Sequence, residues 1–200
     1  MRADIVNATL VVALAAGAAV SASCTSAVRQ GEGSSYLIID SLRGVEGQSG
    51  QEAANLRSDV EALVKMVPTI FEDGGRVTFR LGLKDPLQPT SPNNFITVTR
   101  YRVEYARTDG RNRPGIDVPH PFDGAFTATV GDSTTTVGFT LVRLQAKKEP
   151  PLIGLRGGGS QFAISTIATV TFFGTDQTGR AASASGKISI AFADWADAEG

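Results

Sequence analysis

Regular alternation of apolar and polar side chains limits what this chain can fold into more than any other feature of its sequence. Between residues 76 and 84, apolar residues stand at every second position and alternate with charged or hydroxyl-bearing residues and with Gly82. Neighbouring side chains on a β-strand point to opposite faces of the sheet, so this pattern predicts a strand with one buried face. Pro86 ends the strand, since proline has no backbone N–H to donate.

Similar apolar segments, separated by turn-forming residues, recur along the chain. The seven predicted strands are residues 36–40, 76–84, 95–107, 125–130, 135–144, 164–173 and 184–192. This number of strands, with little helix between them, is typical of a β-sandwich. We therefore predict an all-β fold: a single antiparallel β-sandwich of about seven strands, immunoglobulin- or fibronectin III-like, preceded by a signal-peptide helix.

The alternation changes phase within the third predicted strand. We predict that Ile96 and Val98 point to one face of the strand, whereas Tyr101 and Tyr105 point to the other. An extra residue shifts the pattern in this way, so we predict a bulge or bend near residues 99–100. The two tyrosines are predicted to be core residues rather than an aromatic platform for a sugar, because the residues opposite them are charged.

Residues 56–66 allow two interpretations. Leu56, Val60 and Leu63 fit one face of a helix, but every second residue from Val60 onwards is also apolar, as in a strand. Pro68 would stop a helix in either case. The sequence leaves a strand and a short helical crossover open.

Two connections carry recognisable turn signals. Residues 175–180 form a polar turn in which Gly179 can adopt a positive φ. The two prolines at residues 150–151 can open a short helical turn that runs to Leu155.

Residues 1–23 have the features of a secretory signal peptide. Arg2 provides a basic start, residues 10–20 are apolar, and small residues precede Cys24. Signal peptidases recognise this order of charged, apolar and small residues. The apolar run falls short of the roughly 20 residues that span a bilayer. A transmembrane anchor and a buried core helix are the alternatives.

Cys24, the single cysteine of the chain, directly follows Ala22 and Ser23. This segment resembles the lipobox of bacterial lipoproteins, in which the cysteine is lipidated and becomes the new N-terminus, although Ser21 stands where leucine is usual. The resemblance implies lipidation of Cys24. Thr25, in place of the aspartate that retains such proteins at the inner membrane, implies the outer membrane. The alternative is ordinary cleavage after Ala22, which leaves a free thiol, and an exposed free thiol is a liability in an exported protein.

These features divide the chain into four parts. They are a signal peptide (1–23), a lipidated cysteine with a flexible tether (24–35), the β-sandwich domain (36–194) and a C-terminal tail (195–200). Trp195 begins the tail, so it is not predicted to be a core tryptophan on a middle strand. With one cysteine, the chain also lacks the Cys–Trp–Cys pattern of antibody domains.

The charge balance argues against nucleic acid as a partner. The chain has 19 Lys and Arg and 20 Asp and Glu residues, which gives a net charge of -1. Its basic residues are scattered, so it offers no strong electrostatic attraction to phosphate backbones.

No residue pattern indicates an active site, and we predict that the protein is not an enzyme. The only histidine, His120, lies between two prolines, and a Ser-His-Asp triad would have to use it. A histidine in such a loop is typical of a surface turn. We predict no cofactor and no metal site.

The alternative to the absence of a metal site is a calcium site, because Ca²⁺ needs several converging oxygen ligands and the turns are rich in aspartate. The residues concerned are Asp85, Asp109, Asp117, Asp123 and Asp176. Their spacing matches no EF-hand or repeat motif, and aspartate is common in turns because it hydrogen-bonds its own backbone.

Residues 108–123 form the candidate binding loop, because long connections of this kind are disproportionately functional. Its candidate contact residues are Asp109, Arg111, Arg113, Asp117, His120 and Asp123. The competing interpretation is a solvated loop with no partner.

Several segments carry a resemblance to known proteins. They are Cys24 and residues 36–40, 41–44, 91–95, 109–112 and 175–179. Together they are similar to segments of uncharacterised bacterial lipoproteins with a single immunoglobulin- or fibronectin III-like domain. The resemblance covers nearly the whole mature chain. It implies an envelope location and an immunoglobulin-like fold, and it implies no activity.

We therefore expect a non-enzymatic exported lipoprotein whose β-sandwich has a structural or binding role at the cell envelope. Its membrane contact would be the N-terminal lipid, and its partner an envelope protein or a polysaccharide. The alternative is a secreted or surface subunit that self-assembles by strand addition into an oligomer or filament.

Overall fold

The structure is a computed structural model that describes residues 33–158 and 162–195. The predicted signal peptide, Cys24 and most of the predicted tether lie outside these residues. The strands of the described part are β1 (Ser35–Val45), β2 (Glu52–Ala53), β3 (Asn55–Asp59), β4 (Ala62–Val64), β5 (Val67–Thr69), β6 (Asp73–Leu83), β7 (Ile96–Arg107), β8 (Phe122–Val130), β9 (Thr135–Val142), β10 (Ile164–Asp176) and β11 (Ala181–Ala193). Its helical elements are α1 (Leu144–Lys147) and the 3₁₀ turns Pro92–Asn94 and Leu152–Leu155.

Two sheets contain most of these strands. The first has the order β2-β1-β6-β9, and the second has the order β3-β11-β10-β7-β8. Neighbouring strands are antiparallel except β3 and β11, which run parallel. Strands β4 and β5 form a separate hairpin. The predicted all-β fold is confirmed, with one parallel pair in addition to the antiparallel pairs.

The two sheets pack face to face around an aromatic core. The rings of Phe79 in β6 and Phe172 in β10 meet edge to face, with centroids 5.0 Å apart. Tyr101 of β7 lies 5.1 Å from Phe139 of β9, which extends the contact between the sheets. The alternation predicted for residues 76–84 is confirmed at Val77 and Phe79, which are fully buried.

The predicted bulge in β7 is confirmed, but its effect differs from the expectation. The register shifts at Thr99 against both β8 and β10. Because Thr99 is an extra residue, it restores the phase, and Ile96 and Val98 face the same core as Tyr101 and Tyr105. The prediction that the two pairs lie on opposite faces is therefore wrong. The tyrosines are core residues, as predicted.

Residues 56–66 adopt the strand alternative. Leu56 and Ser58 of β3 are buried and Arg57 between them is exposed, as on a half-buried strand. The hairpin that follows turns at Lys65 and Met66, which both have positive φ (50° and 64°).

The two predicted turns are present. Gly179 has φ +86° in the turn between β10 and β11. The turn predicted after the two prolines is the 3₁₀ turn Leu152–Leu155, which directly follows Pro151.

Most predicted strand boundaries shift: β1 extends to Val45, β6 begins at Asp73, β8 begins at Phe122, β10 extends to Asp176 and β11 begins at Ala181. The strand predicted over 135–144 ends at Val142, because the chain turns into α1 at Leu144. Strand β1 begins at Ser35, one residue earlier than predicted, and Ser35 Oγ donates a hydrogen bond to the Asn94 carbonyl oxygen (2.6 Å).

A buried ion pair connects β6 to α1. Asp73, the first residue of β6, and Lys147, the last of α1, are each 1% exposed, and Lys147 Nζ lies 2.8 Å from Asp73 Oδ2. Ser58 Oγ donates to the same oxygen (2.6 Å), and the Gly47 N–H donates to Oδ1 (3.0 Å). Burial raises the pKa of Asp73, although these three donors oppose that effect. One strand from each sheet, the helix α1 and the loop that contains Gly47 therefore meet at one carboxyl group.

The connections lie at two opposite ends of the sandwich. At the entry end, Ser35 begins β1 and contacts Asn94, and β7 then starts opposite the last residue of β10. The far end holds residues 46–51, 60–72, 108–121 and 143–158. Strand β10 has 13 residues, and at about 3.3 Å per residue the two ends are roughly 40 Å apart.

We expect Gly174→Ala to lower the free energy of unfolding by about 1–3 kcal/mol, because overpacking against backbone forces the strands apart. A Cβ at Gly174 of β10 would overlap the Thr97 carbonyl oxygen and lie 2.9 Å from Val98 Cα, beside the bulge. Gly138→Ala in β9 is the matched control, since the nearest atom to its Cβ would be 4.0 Å away. Urea denaturation measures both, and equal effects would contradict the close approach at the bulge.

Candidate functional site

The structure places five of the six predicted contact residues in one loop at the far end. Residues 108–121 connect β7 to β8 there, and Asp123 lies on β8 itself. The loop is anchored by Val118 and Pro119, which are buried. Most residues before this anchor are exposed, and the charged residues among them are Asp109, Arg111, Arg113 and Asp117.

The tip of the loop is organised around Asp109. Its carboxylate accepts hydrogen bonds from Arg107 Nη2 (2.6 Å) and Arg111 Nη2 (2.9 Å). The hydrogen bonds from Arg107 and then from Arg111 hold the pKa of Asp109 well below its ordinary value. Arg111, predicted as an anchor for a partner, is therefore already engaged within the loop.

A second ion pair fixes the following turn. Arg113 Nε lies 2.8 Å from Asp117 Oδ2, and the Arg113 N–H donates to the same oxygen (3.2 Å). The hydrogen bond from Arg113 lowers the pKa of Asp117. The Arg113 side chain is 73% exposed, so it still offers donors to the solvent side of the loop.

His120 lies on the surface of this loop. It is exposed, and its ring packs against Gly115, which has φ +74° and where any Cβ would overlap the imidazole. No described residue forms a hydrogen bond with His120. Within residues 33–158 and 162–195, no serine or carboxylate forms the hydrogen bond to His120 that a triad requires.

Asp123 belongs to the outer face of the five-stranded sheet rather than to the loop. Its carboxylate accepts from Arg100 Nη1 and Arg102 Nη1, both at 2.8 Å. Arg102 also pairs with Glu104 (3.2 Å), and the Arg100 guanidinium lies 4.1 Å from the Phe173 ring centre. This cross-strand charge cluster is separate from the candidate loop.

The aspartates considered as calcium ligands do not converge on a common site in the described part of the chain. Across residues 33–158 and 162–195, no three His, Cys, Asp or Glu side chains are placed to hold a metal ion. Asp176 instead caps its own turn, accepting from the N–H groups of Thr178 and Arg180 (both 2.9 Å). Asp85 accepts from the Leu87 N–H (3.0 Å) in the same way.

A cleft at the far end was not predicted. It has a volume of about 280 Å³ and is lined by residues 46–59 and by Trp195. The Arg57 guanidinium lies 4.2 Å from the Trp195 ring centre, and the backbone N–H of Trp195 donates to Asp59 Oδ1 (3.2 Å). Trp195 Nε1 is buried and has no hydrogen-bond partner among the described residues. The cleft therefore offers an aromatic ring and polar side chains to a small ligand or a peptide.

The sequence carried only a weak signal for this cleft. Trp195 stands just after the last predicted strand, where a tail begins, and Arg57 lies in a segment with two open interpretations. Their contact depends on the parallel pairing of β3 with β11, which no local pattern indicates.

Comparison with known proteins identified no relative. No protein-family model matches this chain, and neither the curated proteins nor the solved structures contain a match. Within the part of the chain that the structure describes, no helix is long and apolar enough to cross a membrane.

We expect the loop to keep its order as the pH falls from 7 to about 4, the ordinary range of an aspartate pKa. Asp109 and Asp117 have lowered pKa values, so their ion pairs form fully above the ordinary pKa and are lost only as the pH falls through the lowered values. NMR shifts of the Arg111 and Arg113 amides, which donate to these carboxylates, report the transition. In Asp109→Asn only the first amide should change. Titration midpoints near the ordinary aspartate pKa for both amide shifts would contradict the ion pairs of Asp109 and Asp117.

Proposed function

We propose that this chain is an exported lipoprotein, anchored at the cell envelope by lipid on Cys24, whose β-sandwich acts as a non-enzymatic binding or structural module. The signal-like segment 1–23 and the lipobox-like residues before Cys24 support export and anchoring. Thr25 after the cysteine favours the outer membrane. The proposed partner is another envelope protein or a polysaccharide.

The observation that carries this proposal is the separation of the entry end from the far end. The described chain enters the sandwich at Ser35, and the proposed tether, within residues 24–35, would join that end to Cys24. The loop 108–121 and the Trp195 cleft lie at the opposite end, roughly 40 Å away. Lipid on Cys24 would attach the entry end and leave both features facing away from the membrane.

The strand order supports an immunoglobulin-like version of the sandwich. Immunoglobulin domains place strands A, B and E in one sheet and C, F and G in the other. In the first sheet, β1, β6 and β9 then correspond to A, B and E, in that spatial order. In the second sheet, β11, β10 and β7 correspond to G, F and C. Strand β8 then takes the place of the additional strand C′ next to C.

We expect wild-type protein to incorporate labelled palmitate when it is produced in a bacterium that acylates lipoproteins, and Cys24→Ser to incorporate none. More than one acyl chain gives stable membrane attachment, so wild type should also partition with the membrane fraction. Thr90→Ser, in an exposed loop of the domain, is the control that should remain acylated. Equal labelling of wild type and Cys24→Ser would overturn the anchored form of the proposal.

We expect a photo-crosslinking residue placed at position 111 to capture partners in intact cells, and one placed at position 178 to capture none of them. Arg111 lies at the far end and Thr178 in the entry-end turn, and both positions are exposed. Adducts are resolved by mass after membrane solubilisation. The same adducts from both positions would contradict a far-end binding surface.

The alternative of a self-assembling subunit has one structural argument. Strand β8 is the outermost strand of its sheet and pairs only with β7, so its other edge is open to a strand from a neighbour. The β7–β8 register is irregular, and such irregularities oppose regular strand addition. Sedimentation at high protein concentration separates the two proposals, because a stable monomer excludes assembly through this edge.

A further inference from the structure

Asp73 and Lys147 are in a setting that differs from the ion pairs of the loops. Each side chain is 1% exposed, and Lys147 Nζ lies 2.8 Å from Asp73 Oδ2. The loop pair of Arg113 and Asp117, in contrast, joins a guanidinium to a carboxylate at the surface. A lysine amine can act as a nucleophile once it is neutral, whereas a guanidinium keeps its proton. The amine of the buried pair can therefore act as a nucleophile, whereas the guanidinium of the loop pair cannot.

We infer that the Asp73 carboxyl group and the Lys147 amine condense into an intramolecular amide that links β6 to α1. A proton first passes from the ammonium group to the carboxylate, which leaves a neutral amine and a carboxylic acid. The amine attacks Cγ, so the Cγ–Nζ bond forms and the Cγ–Oδ2 bond breaks. Oδ2 leaves as water with the transferred proton and a second proton from nitrogen. The amide retains one N–H, no oxidant or reductant is needed, and the atoms and charges balance.

The neighbouring groups are placed to assist each of these steps. The Gly47 N–H donates to Oδ1 (3.0 Å), the oxygen that becomes negative when the amine attacks, as an oxyanion-hole donor does. Ser58 Oγ contacts Oδ2 (2.6 Å), so it can relay the proton that the leaving oxygen requires. Burial raises the pKa of Asp73, which favours its neutral acid form, and it excludes bulk water from both side chains.

The link would connect distant parts of the chain. Asp73 starts the second long strand of the four-stranded sheet, and Lys147 lies just before the connection to β10. A covalent bond between them closes a loop that contains β6, β7, β8 and β9. Such a crosslink restricts the unfolded chain, as a disulfide does. This chain has a single cysteine and cannot form an intrachain disulfide.

Tryptic digestion of the purified, folded protein tests the amide directly. Trypsin does not cleave after an acylated lysine, so the bond joins the peptide 66–76, which contains Asp73, to the peptide 144–148, which contains Lys147. We expect one branched peptide, lighter than the two linear peptides together by one water molecule. Complete recovery of linear 66–76 from wild-type protein would overturn the inference, whatever the variants do.

Two lysine variants make the assignment specific. Lys147→Arg keeps a positive charge beside Asp73 but removes the amine, so the branched peptide should disappear completely. Lys148→Arg changes the adjacent lysine, which is exposed, and should leave the branch in full yield. If Lys147→Arg does not fold, the wild-type digest still decides. A branched peptide that survives Lys147→Arg would show that another residue is linked and would refute the proposed bond.

Discussion

The edge-to-face contact between Phe79 and Phe172 holds the two sheets together, and the rest of the structure depends on it. The rings are 5.0 Å apart, and such pairs contribute about 0.5–1.5 kcal/mol beyond the burial of their area. Tyr101 and Phe139 continue the same cluster into β7 and β9. Since the single cysteine permits no intrachain disulfide, this core takes the place that a crosslink between sheets has in antibody domains.

The Asp73–Lys147 contact imposes a second constraint, at the far end. Loss of one partner from a buried ion pair costs about 3–5 kcal/mol, because the other charge is left without compensation. Ser58 on β3 and Gly47 in the preceding loop must therefore approach the same carboxyl group. The sheets are fixed in the middle by aromatic packing and at one end by this polar contact.

Much of the fold was predictable from the sequence because the strands are amphipathic. Period-two alternation identifies β6, and the phase change in β7 identifies the bulge at Thr99. The effect of the bulge was not predictable in the same way. Alternation assigns residues to faces by counting along the strand. An extra residue changes this count, and its residue type does not reveal that it is the extra one.

The buried pair and the Trp195 cleft were missed for a different reason. Lys147 precedes another lysine, and Asp73 precedes two glycines, so each residue is typical of a solvated turn. Only the pairing of β1 with β6, together with the position of α1, buries both. The candidate loop was found from its length and charge, but sequence could not show that Asp109 and Asp117 pair with arginines inside the loop.

These internal ion pairs make the loop 108–121 nearly self-sufficient. Beyond the anchor at Val118 and Pro119, the hydrogen bonds of its side chains among the described residues are with its own residues and with Arg107 at the end of β7. Substitutions in the loop therefore change the stability of the sheets little, since surface substitutions away from the core alter the free energy of unfolding by about 0.5 kcal/mol or less. Evolution, or an engineer, can change the surface of this loop while the frame beneath it stays constant.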